Sequence, residues 1–225
     1  MDYAISDIHG CNKTFLALLD KIGLKKTDNL FLLGDYIDRG PDSKGVIDTI
    51  WRLRAEGYNV RTLKGNHEQM MYNAYTALLW EEIDLWLSNG GKATLQSFGV
   101  SRVLDIPTKY LDFVKTLELY IELPDYYLVH AGFDFSKETI FENTEAMLWI
   151  RRWYIDIVPE MLNGKKVVHG HTPMKYEDIL DMMAQKPYPV FDIDAGCFAL
   201  KEGYGHLSAL NLTTETLIWQ KRTDY

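Results

Sequence analysis

Three short apolar runs near the start of the chain each end in a polar turn that contains glycine. The runs occupy residues 3–6, 30–33 and 60–63, and the turns after them contain Asp7, Asp35 and Asn66. Successive turns are separated by roughly 30 residues, the length of a strand–helix–strand unit. Apolar residues recur at helical spacing in both intervals, over residues 12–22 and 43–55. The pattern predicts α/β architecture, in which ligands bind at the carboxyl ends of the strands.

The rest of the chain is predicted to be helical first and then mainly β. Apolar periodicity indicates helix over residues 68–87, Gly90-Gly91 interrupts it, and helical stretches continue to residue 119. Later segments with strand character are 126–130, 166–169, 190–193, 205–211 and 216–221. The last two are expected to form a hairpin. We predict a single domain over residues 1–225, with a helical insertion around 68–120.

Composition and charge narrow the functional classes. Hydrophobic residues make up 47% of the chain and charged residues 25%, a balance typical of soluble globular proteins. The net charge of −8 disfavours stable nucleic-acid binding, which needs a concentrated basic patch. A small anionic substrate stays compatible with this charge, because bound metal ions can reverse the local field of an acidic cleft. No window approaches the roughly 18 uninterrupted apolar residues of a membrane span.

The cysteines and the first residues of the chain indicate a cytoplasmic protein. Cys11 and Cys197 provide no disulfide framework, so a reducing compartment is the simpler expectation. Residues 1–7 contain neither a basic region nor a long apolar stretch, and they lead directly into a predicted strand. A cleaved signal peptide is therefore not expected.

Histidine is the most informative residue type in this sequence. Of the six histidines, these lie at predicted strand ends beside glycine, aspartate or asparagine: His9, His67, His130, His169 and His171. A single histidine in such a place is more often structural than a ligand. Here they are expected to converge with further polar side chains, namely Asp7, Asp35, Asp38 and Asn66. Carboxylate, imidazole and amide oxygen together suit Mn, Fe or Zn, whereas a structural zinc site would favour thiolates.

Taken together, these motifs resemble those of the phosphoprotein phosphatase family of metallophosphoesterases. In family order, they are Asp7-x-His9-Gly10, Gly34-Asp35-x-x-Asp38-Arg39-Gly40, Gly65-Asn66-His67-Glu68, His130-Ala131-Gly132 and Gly170-His171-Thr172-Pro173. Residues 65–71 and 86–91 are similar to the compact bacterial and bacteriophage serine/threonine phosphatases. The resemblance implies a four-layer α/β/β/α sandwich, in which two mixed β-sheets are flanked by helices.

The resemblance also implies a role for each motif residue. Two divalent metal ions, Mn in the first place with Fe or Zn as alternatives, would be held by Asp7 and His9 on one side and by Asn66, His130 and His171 on the other. Asp35 would bridge them, and a water or hydroxide between the metals would attack phosphorus directly. His67 would protonate the leaving group and would be oriented by Asp38.

Basic residues near the motifs are candidates for phosphate binding. The resemblance assigns this role to Arg39 and Arg151, whose planar guanidinium groups suit it, with Arg152 as the alternative to Arg151. Many family members have arginine directly before Gly-Asn-His, where this chain has Lys64, which keeps the charge and loses the bidentate geometry. In His169-Gly170-His171 the family pattern places the ligand after glycine, so His171 is preferred and His169 is interpreted as lying behind the ligands.

Three functional hypotheses follow. The leading one is a phosphatase that acts on phosphoserine, phosphothreonine and other phosphate monoesters, with a phosphorylated protein or a small phosphoester as its partner. The alternative is a symmetrical diadenosine tetraphosphate hydrolase or a phosphodiesterase that uses the same two-metal site. The third, a catalytically silent metal-binding module, would be favoured by the loss of a motif residue, and all of them are present. The sequence leaves the oligomeric state and regulatory partners open.

Overall fold

Two mixed β-sheets form the centre of the protein, and helices flank them. The computed structural model describes residues 1–185 and 189–224. Its strands are β1 (Asp2–Ile5), β2 (Asn29–Leu32), β3 (Asn59–Thr62), β4 (Tyr120–Glu122), β5 (Tyr126–Val129), β6 (Lys166–His169), β7 (Val190–Asp192), β8 (His206–Asn211) and β9 (Thr216–Lys221). Its α-helices are α1 (Asn12–Ile22), α2 (Ser43–Ala55), α3 (Asn66–Ala77), α4 (Trp80–Trp86), α5 (Lys92–Phe98), α6 (Thr108–Lys115), α7 (Ala146–Trp149) and α8 (Tyr176–Ala184). Short 3-10 turns occur at Val103–Asp105, Trp153–Ile155 and Pro159–Leu162.

Each sheet combines parallel and antiparallel strands. The larger sheet has the order β3-β2-β1-β8-β9, in which β1, β2 and β3 are parallel and the hairpin of β8 and β9 is antiparallel. The smaller sheet has the order β4-β5-β6-β7, in which β5, β6 and β7 are parallel and β4 is antiparallel. The predicted fold, with two mixed sheets flanked by helices, is confirmed.

Side chains alternate between the two faces of each strand, and this alternation produces three hydrophobic clusters. The cluster between the sheets joins Ala4, Phe31 and Leu210 of the larger sheet to Leu128 and Val168 of the smaller one. A second cluster packs the outer face of the larger sheet against α1, α2, α3 and α6. The third covers the outer face of the smaller sheet with residues from the segment between β5 and β6. Both sheets are therefore buried on both faces.

Helix boundaries follow the sequence pattern closely in the first half of the chain. The predicted helices over 12–22 and 43–55 are confirmed as α1 and α2. The predicted helix over 68–87 is divided into α3 and α4 at Leu78, whose φ of 54° ends the first helix. The interruption predicted at Gly90-Gly91 is confirmed, since Gly90 has a φ of 116°. The prediction of helix up to residue 119 is wrong at its end, because α6 stops at Lys115.

Beyond α6 the chain becomes extended earlier than its pattern indicates. Glu118 pairs with Leu63 at the end of β3, and the short strand β4, which was not predicted, follows. Such backbone pairing is set by a neighbouring strand and not by local periodicity. Within the described part of the chain, no helix has the length and apolarity needed to cross a membrane.

Candidate metal centre and active site

The candidate site lies where strands of both sheets end. Turns after β1, β2 and β3 carry Asp7, Asp35 and Asn66, and turns after β5 and β6 carry His130 and His171. Because parallel strands end at the same edge of a sheet, ligands from distant parts of the sequence meet there. The structure thus brings the predicted ligand residues together in one buried region.

The backbone of these turns adopts the left-handed conformation at residues other than glycine. The residues concerned are His9 (φ 47°), Asp35 (φ 51°), Asp38 (φ 70°), Arg39 (φ 68°) and His171 (φ 72°). Each such residue costs on the order of 1–3 kcal/mol unless its surroundings compensate. Part of the compensation is visible, since Asp35 O accepts the backbone N–H of Ile8 at 3.1 Å and of His9 at 2.8 Å. Concentrated strain of this kind is typical of functional sites.

Glu68 connects the turn after β2 to the turn after β3. Its buried carboxylate accepts the backbone N–H groups of Asp35 at 2.9 Å, Tyr36 at 2.8 Å and Gly65 at 3.0 Å. Burial raises the pKa of Glu68, and these hydrogen bonds oppose the rise by favouring the charged form. Glu68 was not among the predicted site residues, although its place in the Gly65–Glu68 motif was the available signal.

His67 and Asp38 form a hydrogen-bonded dyad, the first of two parts of the site. His67 Nδ1 lies 2.8 Å from Asp38 Oδ2, and both side chains are buried. Asp38 also accepts the indole N–H of Trp86, at 3.0 Å to Oδ2, and the hydroxyl of Thr94, at 2.5 Å to Oδ1. His67 Nε2 is left facing Asp35 Oδ2 at 3.9 Å. Burial lowers the pKa of His67 to about 4.

The second part is an acceptor cluster formed by Asp35, Asn66, His130 and His171. His130 Nδ1 lies 2.9 Å from Leu33 O, so this nitrogen carries a proton, and in a ring with no second proton Nε2 is an acceptor. That Nε2 lies 3.0 Å from Asn66 Oδ1 and 3.6 Å from Asp35 Oδ2, which are acceptors as well. His171 Nδ1 is 2.9 Å from the same amide oxygen, and its buried Nε2 has no hydrogen-bond partner among the described residues. Buried acceptors that face one another fit a bound cation.

His9 and Asp7 complete the surroundings of Asp35. His9 Nδ1 donates to Ile37 O at 2.9 Å, which directs Nε2 towards Asp35 Oδ2 at 3.5 Å. Ligand atoms within 4.8 Å of one another form two groups that share Asp35: His9, Asp35 and His67, and Asp35, His130 and His171. Asp7 lies outside both groups, and its Oδ2 accepts the backbone N–H of His171 at 3.0 Å.

Two glycines allow carboxylates to lie directly against the backbone. A Cβ atom on Gly65 would lie 2.1 Å from Asp35 Oδ1, and one on Gly170 would lie 2.2 Å from Asp7 Oδ1. Both distances are far shorter than van der Waals contact. Glycine at these positions is therefore required by close approach.

Burial controls the charge of the candidate ligand side chains. It raises the pKa of Asp35, and the Asp7 carboxylate contributes to the rise. It lowers the pKa values of His9 and His171, so their imidazoles stay neutral and can act as ligands. A cation favours the ionised carboxylate and the neutral imidazole, so the site gains from binding one.

The remaining predicted residues lie at the rim of the site or behind it. Arg39 Nη1 is 2.8 Å from His9 Nε2, and Arg151 Nη1 is 3.3 Å from the Thr172 hydroxyl. Lys64 is half-buried beside Asn66, and Arg152 is exposed. His169 packs against Trp153, with ring centroids 5.2 Å apart, and is not part of either ligand group.

Comparison with known proteins agrees with this geometry. The chain matches the calcineurin-like phosphoesterase family over residues 3–198. It is 34% identical over 131 residues to the symmetrical bis(5'-nucleosyl)-tetraphosphatase of Nitrosomonas europaea. This match covers 58% of this chain and 44% of that protein. It is 27% identical over 180 residues to serine/threonine-protein phosphatase 1 of Salmonella typhimurium. This match covers 77% of this chain and 79% of that protein.

A solved structure has the same fold. It is a protein serine/threonine phosphatase from Saccharomyces cerevisiae, 13% identical, with a TM-score of 0.67 over 100% of this chain and 80% of that one. The chain spans less than half the length of the Nitrosomonas tetraphosphatase that it matches. The family match covers most of the chain, and the likeness to the Salmonella enzyme supports the branch indicated by the motifs. This protein belongs to the calcineurin-like phosphoesterase family, and its motifs and its likeness to the Salmonella enzyme agree with the phosphoprotein phosphatase type within that family.

Proposed function

We propose that this protein is a metal-dependent phosphatase that hydrolyses phosphate monoesters, with phosphoserine and phosphothreonine in proteins as its main substrates. The observation that carries this proposal is the buried hydrogen bond of 2.8 Å between His67 and Asp38 beside the shared carboxylate of Asp35. An alkoxide is a poor leaving group, and a positioned imidazolium can protonate it as it departs. A proton donor next to a metal site is therefore the arrangement that monoester hydrolysis needs.

The proposal includes two divalent metal ions. The first ion would be held by Asp7 and His9. The second would be held by Asn66, His130 and His171, and Asp35 would contact both ions. The contact between His130 Nε2 and Asn66 Oδ1 supports this assignment, as does His171 Nε2, which has no partner among the described residues, because a cation would give these atoms a partner. Manganese is our first choice for a ligand set of carboxylate, imidazole and amide oxygen, with iron or zinc as alternatives. Bound ions would neutralise charge on phosphate oxygens and lower the pKa of an attacking water.

The chain's own side chains supply positioning and the proton. Asp38 fixes the ring of His67 so that Nε2 faces the site, and an anionic phosphate beside Nε2 would favour the protonated imidazole. Arg39 and Arg151 would bind phosphate oxygens through their guanidinium groups. Lys64, directly before the Gly65–Glu68 motif, would add positive charge without the bidentate geometry of arginine.

The test is hydrolysis of p-nitrophenyl phosphate by chelator-treated protein to which Mn²⁺ is returned. We expect Mn²⁺ to restore activity of the wild type, and kcat of Asp35→Asn and His67→Asn to fall at least about 100-fold. His206→Asn is the matched control, because His206 packs between Tyr176 and Trp219 away from the ligands. Wild-type protein that binds two metal ions per chain and hydrolyses no monoester would refute the proposal.

Hydrolysis of a dinucleoside polyphosphate is the second candidate. The 34% identity to the Nitrosomonas tetraphosphatase favours it, but that match covers only 58% of this chain. The match to the Salmonella phosphatase extends over 77% of this chain, which is why the monoester comes first. Values of kcat/KM for a phosphoserine peptide and for diadenosine tetraphosphate distinguish the two, since the preferred substrate should exceed the other by at least about tenfold.

We also propose that the protein works in the cytoplasm. Cys11 and Cys197 are both free and buried, as expected where thiols stay reduced. Fractionation of the source cells, followed by immunodetection of the chain, would test this location.

A further inference from the structure

Phe198 lies between two residues of the proposed site, and none of the motifs assigns it a role. Its ring centroid is 4.3 Å from the Arg39 guanidinium carbon. The same ring meets His9 edge to face, with centroids 4.9 Å apart and an interplanar angle of 84°. Since Arg39 Nη1 is also 2.8 Å from His9 Nε2, the three side chains form one contact group beside the ligands.

We propose that Phe198 is a positioning residue that holds the Arg39 guanidinium ready for phosphate. The inference rests on the proposed function, in which Arg39 binds phosphate oxygens. An aromatic face attracts a cation electrostatically when the cation lies within about 6 Å of the ring centroid. The ring therefore fixes a long, flexible side chain near the ligands before substrate arrives, which lowers the entropy lost on binding.

The arrangement also lets Arg39 change partner. The lone pair of His9 Nε2 cannot accept a hydrogen bond from a guanidinium and bind a metal ion at the same time. The guanidinium would therefore move if His9 bound a metal ion. Attraction to a ring face persists over a range of positions, unlike a directed hydrogen bond. Arg39 can thus pass from His9 Nε2 to a phosphate oxygen while it stays over Phe198.

Phe198 is itself held in place by the segment 222–224. Arg222 Nη1 donates to the Phe198 carbonyl at 2.6 Å. Two residues further on, the Asp224 carboxylate accepts the backbone N–H groups of Lys13 at 2.8 Å and Thr14 at 3.0 Å. Those N–H groups open α1, the helix that follows the His9 turn, and Asp224 caps them. The segment 222–224 therefore connects the Phe198 loop to α1, the helix that follows the His9 turn.

Substitutions at Phe198 separate ring attraction from side-chain volume. Phe198→Leu removes the aromatic face and keeps a bulky apolar side chain, whereas Phe198→Tyr keeps the face. Inorganic phosphate is titrated into the Mn²⁺-loaded protein by calorimetry, and KM and kcat are measured with p-nitrophenyl phosphate. For Phe198→Leu we expect phosphate Kd and KM to rise about threefold to tenfold with little change in kcat. Phe198→Tyr should restore values near the wild type.

A double-mutant cycle shows whether the effect runs through Arg39. In the Arg39→Ala background, Phe198→Leu should leave phosphate Kd unchanged, because the cation that it positions is gone. Leu200→Ala is the matched control in the same loop, since Leu200 is 85% exposed, and it should behave as wild type.

Two results would overturn the proposal. One is unchanged phosphate Kd in Phe198→Leu. The other is weaker Mn²⁺ binding in Phe198→Leu with normal phosphate Kd at saturating Mn²⁺, which would show that the ring supports His9 instead. Phosphate titration needs no turnover, so failure of the proposed hydrolysis and failure of this inference are distinguishable.

Discussion

The dyad and the acceptor cluster are equally buried but differ in how their polar atoms are satisfied. In the dyad, Asp38 accepts hydrogen bonds from Trp86 and Thr94 and lies 2.8 Å from His67 Nδ1, so protein groups satisfy it. In the cluster, His130 Nε2 and Asn66 Oδ1 lie 3.0 Å apart, and both are acceptors when the ring carries only the Nδ1 proton. Buried polar groups nearly always find a partner, so the cluster needs a cation where the dyad needs nothing further. The hydrogen-bond partners of the buried groups thus distinguish the part proposed to transfer a proton from the part proposed to bind metal.

The two parts share the turn after β2 and the start of α3, but their other members come from different regions of the fold. Trp86 ends α4 and Thr94 lies in α5, so the helices between β3 and β4 supply the dyad's donors. The cluster is built from turns at strand ends of both sheets. Strand ends therefore position most of the proposed metal ligands, and the helical segment supplies the donors that hold Asp38 beside the proposed proton donor.

The largest effect is expected from Gly65→Ala, which breaks the cluster and spares the dyad's own hydrogen bonds. The new Cβ would lie 2.1 Å from Asp35 Oδ1 and 2.4 Å from Asp35 N, so the shared carboxylate has to move. We expect kcat/KM for p-nitrophenyl phosphate to fall about a thousandfold, with reduced bound metal. Steady-state kinetics and elemental analysis measure both.

Gly57→Ala is the control for this substitution. Its added Cβ meets nothing within 4 Å, although its φ of 89° makes alanine strained there. It should lose some stability and keep its activity. Normal activity and metal content in Gly65→Ala would show that the cluster does not depend on this close approach.

An intermediate effect is expected from substitution of His169, which tests whether a buried imidazole with one unpartnered nitrogen must be a metal ligand. Its buried Nε2 has no partner among the described residues, and burial lowers its pKa to about 4. In the unfolded chain the pKa is about 6.5, so between these values the unfolded state binds more protons. The free energy of unfolding should therefore decrease as the pH falls from 6.5 to 4, and His169 should contribute about 3 kcal/mol to this decrease.

His169→Gln should flatten that part of the pH profile and leave metal binding intact. Urea unfolding between pH 4 and 7 gives the profile, with His206→Gln as the control at a half-buried histidine. A profile identical to the wild type would contradict the buried, neutral state of His169. Lost metal binding would place His169 among the ligands.

The smallest effect is expected from Trp86→Phe, which weakens the dyad alone. The substitution keeps an aromatic ring and removes the N–H that donates to Asp38 at 3.0 and 3.1 Å. We expect kcat to fall about fivefold to tenfold with unchanged metal content, because Asp38 loses one of its donors. Trp51→Phe, in α2 against Tyr110, is the matched control. Metal loss in Trp86→Phe would show that the two parts are not separable.

Much of the site could be predicted because its residues follow predictable strands. Asp7, Asp35 and Asn66 each come directly after an apolar run, and such runs mark the strands whose ends meet. Trp86 fell within the predicted helix over 68–87 with no assigned role, and its contact with Asp38 was missed. That hydrogen bond joins residues 48 positions apart, across a segment whose path no periodicity describes. Thr94, 56 positions from Asp38, was missed for the same reason.

The sequence by itself determined the strand–helix–strand units and the polar turns, because apolar periodicity and turn chemistry act between neighbouring residues. The tertiary structure alone decided which nitrogen of each histidine faces the site. His130 and His9 are oriented by the carbonyls of Leu33 and Ile37, 97 and 28 positions away. It also decided that His171 Nε2 in the cluster has no hydrogen-bond partner among the described residues, while Asp38 of the dyad has three partners. Such properties depend on distances between residues far apart in the chain, which only packing sets.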